Sequence, residues 1–168
     1  MKKLQLLLPL LLALLLASGC KMTTIEYNDM VVEALDTNST TIQATVEAYD
    51  QIVPNLVTEE SEIIAVEMRE SLETAKIVLN ESESILLAEG RNEEQQTEVR
   101  TELANYFEQA DLYLQKYEEM VIYYENHTYK ENPNLVSDYD SELFDEGKLF
   151  DNFLGENNNL AEILKSYL

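Results

Sequence analysis

His127 is the only imidazole in the 168 residues, and it sits in the triplet Glu125-Asn126-His127. A di-iron carboxylate site in a helical bundle needs Glu-x-x-His from two helices, so one histidine at this spacing excludes it and argues against histidine-ligated zinc. Asp138, Asp140, Glu142 and Asp145 crowd one short stretch, and a hard cation such as calcium takes several oxygen ligands. Leu143, however, occupies the place where an EF-hand loop needs glycine, so these four are weak metal candidates beside a plain solvated face. Neither a metal nor a cofactor is predicted. Nucleophilic chemistry fares no better: there is no Gly-x-Ser-x-Gly elbow, the serines have only His127 as an imidazole base, and no glycine loop cradles phosphate. Carboxylate pairs for hydrolysis abound among 33 acids, and that abundance itself carries no information.

Ten tyrosines are a more specific feature. Tyr106, Tyr113, Tyr117, Tyr123 and Tyr124 crowd one segment, where they would line a pocket for an aromatic or sugar ligand or else pack a core with their hydroxyls reaching its rim. Spacing favours the core. From Asn92-x-x-Gln95 the apolar positions Val99, Leu103, Tyr106, Ala110, Tyr113, Tyr117, Met120 and Tyr124 alternate steps of four and three, a heptad seam. Phe107, Leu114 and Val121 run beside it and widen the stripe to what a multi-helix bundle needs.

The segments that hold this one in place are also helical in pattern. Pro54, Gly90 and Pro133 divide the chain after residue 20 into four stretches. The first opens with Thr23-x-x-Glu26 at capping-box spacing and continues through Val31, Leu35, Ile42, Val46, Tyr49 and Val53, with a bend expected over residues 36–41. The second starts at Thr58, carries Ile64, Met68, Leu72, Ala75, Leu79 and Leu86, and ends at Gly90 and Arg91 as a C-cap should. The fourth, from about Ser137, is weakened by Gly147, Gly155 and residues 157–159 and reads as one helix or two shorter ones. No stretch alternates as a strand does. The predicted fold is therefore all-α, an antiparallel four-helix bundle over residues 24–168, because short connections force neighbours to run in opposite directions.

The N-terminus has a different composition. Lys2 and Lys3 precede an apolar run from Leu4 to Leu16, too short to span a bilayer: 13 residues of helix rise about 20 Å against a hydrocarbon core of about 30 Å. A cleaved signal peptide over residues 1–19 fits. Leu16-Ala17-Ser18-Gly19-Cys20 then resembles the lipobox of bacterial lipoproteins, with Ala17 where that family most often has leucine. The resemblance covers about 20 residues and implies that Cys20 is lipidated and becomes the first residue of the mature protein, with residues 20–23 as a short tether. Cys20 is the chain's only cysteine, so no internal disulfide exists, and a thiol at the cleavage point has a chemical use that a lone exported thiol otherwise lacks.

Cleavage would leave 33 acids against nine bases, a net charge of −24. Such a field repels phosphate, so nucleic acid is excluded as a partner. The expected protein is a non-enzymatic, membrane-anchored envelope lipoprotein, held to the cell or outer membrane through lipid on Cys20, with its domain outside the cytoplasm. It would bind a protein or small molecule, or act as a spacer. A carboxylate-based envelope hydrolase and a divalent-cation-binding lipoprotein are the alternatives. With a tether of about three residues, roughly 10 Å extended, the loop over residues 126–136 falls at the end away from the membrane, which makes His127, Tyr129 and Pro133 the expected partner-facing residues.

Overall fold

A computed structural model describes residues 23–55, 61–89 and 94–166. Cys20, the expected export signal over residues 1–19, Thr58, Gly90, Arg91 and Asn92 lie outside those residues. Five α-helices follow one another: α1 Thr24–Asn55, α2 Ser61–Glu89, α3 Glu94–Glu125, α4 Leu135–Phe144 and α5 Leu149–Ser166, with one 3₁₀ turn, Thr128–Lys130, after α3. The described residues contain no strand, and the chain is all-α.

Helix α1 begins where its capping box places it. The Thr23 N–H donates to Glu26 Oε2 at 2.7 Å, and the Glu26 N–H donates to Thr23 Oγ1 at 3.2 Å. Two orphan donors of the first turn are thus satisfied reciprocally. The expected bend over residues 36–41 is absent, and α1 runs unbroken for 32 residues. Its hydroxyls bond back to the helix, Thr37 to the Glu33 carbonyl and Thr41 to that of Asn38, instead of drawing the backbone into a turn. Pro54 falls inside the last turn of α1.

The fourth stretch resolves into two helices. It begins at Leu135, ahead of Ser137, and breaks between Phe144 and Leu149, where Gly147 takes a left-handed φ of +74°. Gly155 and residues 157–159, expected to weaken the helix, lie inside α5. Phe153, Leu160 and Leu164 bury one side of that helix, and this packing outweighs the poor helix propensity of Gly and Asn.

Helix α1 packs along α2, α2 along α3, and α3 receives α5 along most of its length, with α4 beside it. Named contacts set the register. The Tyr27 hydroxyl near the start of α1 donates to the Leu86 carbonyl at the end of α2, and Arg100 early in α3 donates to the Leu87 carbonyl. At the other end Arg69 in α2 meets Glu125 at the end of α3. The Phe153 ring packs on Tyr106 and the Phe150 ring on Tyr113, which orders α5 against α3. One continuous core joins these helices, and α3 is its centre: Leu103, Tyr106, Ala110, Tyr113, Leu114, Tyr117, Met120 and Val121 are all buried.

Candidate functional site

The loop after α3 turns its aromatic residues inward. His127 adopts φ 55°, a left-handed conformation that histidine tolerates better than branched residues, and this reverses the chain at the end of α3. Its ring meets Tyr129 edge to face at 5.9 Å, and Tyr129 in turn packs on Tyr123 and Tyr124. The Tyr123 hydroxyl donates to the Asn132 carbonyl at 3.1 Å, tying the loop down a second time. Of the three residues expected to face a partner, His127 and Tyr129 are half-buried in an aromatic cluster and Pro133 is exposed.

The four clustered acids diverge. Asp138 is exposed, and Asp140 accepts a hydrogen bond from the Tyr49 hydroxyl of α1. Glu142 pairs with Lys116 at 2.8 Å, and Asp145 accepts from Ser141 at 2.6 Å. Among the described residues no three His, Cys, Asp or Glu side chains form a group that could hold a metal ion.

The five tyrosines of α3 are all buried. Thr45 Oγ1 gives its only proton to the Ile42 carbonyl at 2.7 Å, so Tyr113, 2.8 Å away, must donate to that oxygen. The Tyr117 hydroxyl donates to the Thr45 carbonyl at 2.7 Å. Burial holds the Tyr27 hydroxyl up to about 12, and it pushes those of Tyr49, Tyr106, Tyr113, Tyr117 and Tyr124 further above the phenol range. These groups are neutral donors and not bases.

A concave feature of the molecule lies between α1 and α5, which barely touch. An open groove of about 460 Å³ separates them. Ala44, Phe150, Phe153 and Leu154 supply its apolar surface, and Ser39, Thr40, Gln43 and Glu47 its polar one. The cause is local. The α1 residues facing α5 are Ser39, Thr40, Gln43, Ala44 and Glu47, small or polar at helical spacing, so no large side chain fills the gap opposite Phe150 and Phe153.

At the groove Ser39 donates to Asn157 Oδ1 of α5 at 3.2 Å, and further along α1 Tyr49 donates to Asp140 of α4, where its ring also stacks on Phe144 at 5.2 Å. Behind Ser39 and Phe153 lie polar atoms that the fold leaves unsatisfied. The Asn38 side chain, 1% exposed, accepts from Ser82 at 3.4 Å, but its Nδ2 has no partner among the described residues. Neither has the hydroxyl of Tyr106, 0% exposed, although Asn38 and Ser39 lie close enough to temper the rise that burial imposes on its pKa. Sequence reasoning missed this groove because it followed the buried stripe of α1; the signal was the second stripe, from Ser39 to Glu47, whose members are too small or too polar to seal a seam.

No protein-family model, no curated protein and no solved structure matches this chain.

Proposed function

We propose that the chain is the precursor of a bacterial envelope lipoprotein, anchored through lipid on Cys20, whose acidic domain works by binding and not by catalysis. The observation that carries the reading is the start of α1. Its capping box fixes helix from Thr24, four residues after Cys20, so the bundle would stand almost directly on its anchor. Lipid on the cysteine together with a rigid domain at that distance would place one end of the bundle at the bilayer surface. Among the described residues no helix is long and apolar enough to cross a membrane, so attachment would fall to the N-terminal segment.

The domain is read as an antiparallel four-helix bundle in which α4 and α5 together form the fourth arm. Support comes from the end-to-end pairings of Tyr27 with Leu86 and Arg69 with Glu125, and from the opposite runs of Phe150 then Phe153 in α5 against Tyr113 then Tyr106 in α3. In that arrangement the start of α1 and the end of α5 share the membrane-near end, and the loop around His127 lies far from it.

A binding role is favoured by the chemistry of the groove. It is lined by one carboxylate, Glu47, whereas hydrolysis by carboxylates needs a pair. Its apolar surface with a few polar groups is what a small-ligand site requires. Labelling cells with a fatty-acid probe tests the anchor: the wild-type chain should be labelled and sediment with membranes, and Cys20→Ser should lose both. A labelled Cys20→Ser chain, or an unlabelled wild-type chain in the soluble fraction, would reject it.

A further inference from the structure

We infer that the groove between α1 and α5 binds small cationic molecules with a flat or aliphatic apolar body; this rests on the binding role proposed above but not on the lipid anchor. The size is right, since about 460 Å³ lies within the range of roughly 300–1,000 Å³ usual for small-molecule sites. The shape follows from the walls. Phe150 and Leu154 line it together with the short, exposed side chain of Ala44, leaving an open apolar floor that a small apolar body covers.

Charge selects the ligand. Helix α1 carries Glu26, Asp29, Glu33, Asp36, Glu47 and Asp50 and neither lysine nor arginine. Along α5 stand Asp151, Glu156 and Glu162, with Lys165 only in its last turn. Glu47 is the one charged group lining the groove, and the whole chain carries a net charge of −22. A cation held between Glu47 and the half-buried ring of Phe150 gains a carboxylate and a ring quadrupole together, whereas an anion meets only repulsion.

Three probes with the same three-ring body separate the contributions: aminoacridine as the cation, anthracenemethanol as the neutral form and anthracenecarboxylate as the anion. Binding would be followed by fluorescence anisotropy on the full chain, in zwitterionic nanodiscs where it is acylated and free in buffer where it is not. Aminoacridine should bind about tenfold or more tightly than the anion, with the neutral probe between them. Glu47→Gln should weaken the cation about fivefold and leave anthracenemethanol unchanged. Ala44→Trp, which fills the groove from an exposed helix position, should abolish binding of all three. Glu67→Gln, an exposed acid on α2, should change nothing. Equal weakening by Glu67→Gln and Glu47→Gln would show only a diffuse attraction to an acidic surface and would overturn the site, as would undiminished binding to Ala44→Trp. Loss of lipid labelling with these affinities intact would overturn the anchor alone, and labelling without binding would overturn the groove alone.

Discussion

The hydroxyl of Tyr113 lies 2.8 Å from Thr45 Oγ1 at the buried centre of the bundle, joining α3 to α1 across the core. Thr45 spends its proton on the Ile42 carbonyl, so Tyr113 is the donor, and Tyr117 donates beside it to the Thr45 carbonyl. Removing the two partners should therefore have unequal effects. Thr45→Val leaves a buried phenol without an acceptor and should cost about 1–3 kcal/mol, whereas Tyr113→Phe removes a donor from an oxygen still engaged with Ile42 and should cost about 1 kcal/mol. In urea unfolding the double variant should lose less than the sum of the two. Equal single effects that add would show that the pair is not coupled.

Alkali should unfold the protein through its tyrosines. Seven buried tyrosines have hydroxyl pKa values raised above the ordinary 10.0, that of Tyr27 to about 12, because burial disfavours phenolate. A raised folded value means the neutral form stabilises the native state, fully below pH 10.0 and progressively less as pH rises through it toward the folded values. Phenolate absorbance should show only part of the ten tyrosines titrating near pH 10, with the rest appearing cooperatively as helical circular dichroism is lost. Complete titration at constant helicity would contradict the buried assignments.

At the acid end, carboxylates set the stability. A hydrogen bond from Lys76 holds the Glu118 carboxyl below its ordinary 4.5, one from Arg69 does the same for Glu125, and the capping bonds of Thr23 lower Glu26. Depressed values stabilise the fold above pH 4.5, and that contribution is lost as pH falls through the folded values. Arg69→Met should cost about 1 kcal/mol at neutral pH and low salt, an effect kept small because these side chains are about a third exposed. Its stability should also fall less steeply than wild type on acidification. An identical acid profile would show that Arg69 does not govern these carboxylates.

Thr23→Ala removes the hydroxyl that accepts from the Glu26 N–H and should lower stability by about 1 kcal/mol. The loss should localise, with faster hydrogen exchange confined to the first turn of α1. Uniform exchange changes throughout the bundle would argue against a capping role.

The loop after α3 should respond residue by residue. Tyr129→Ala strips rings from the cluster with Tyr123, Tyr124 and His127 and should cost about 2 kcal/mol, whereas exposed Pro133→Ala should fall within about 0.5 kcal/mol of wild type. A neutral Tyr129→Ala that nevertheless abolished capture of a protein partner would assign this loop to a contact surface.

Much of this architecture was written locally. The heptad steps from Val99 to Tyr124 specify a buried helix because four-and-three spacing gathers those side chains on one side, and Thr23-x-x-Glu26 specifies a start because both caps lie within one turn. The same local rules misled over residues 36–41 and 157–159. There Asn38 with Ser82, and Ser39 with Asn157, engage groups far away in the chain, which no local preference anticipates.

What the residues determined alone was helix: where α1 begins and which side of α3 is buried. The tertiary structure alone decided that Ser39 and Ala44 would face Phe150 and Phe153 and leave a groove, and that His127 and Tyr129 would turn inward. The physical reason is that helix formation reads neighbours three and four residues apart. A gap between helices depends on the summed volumes of side chains more than a hundred residues apart, which only packing compares.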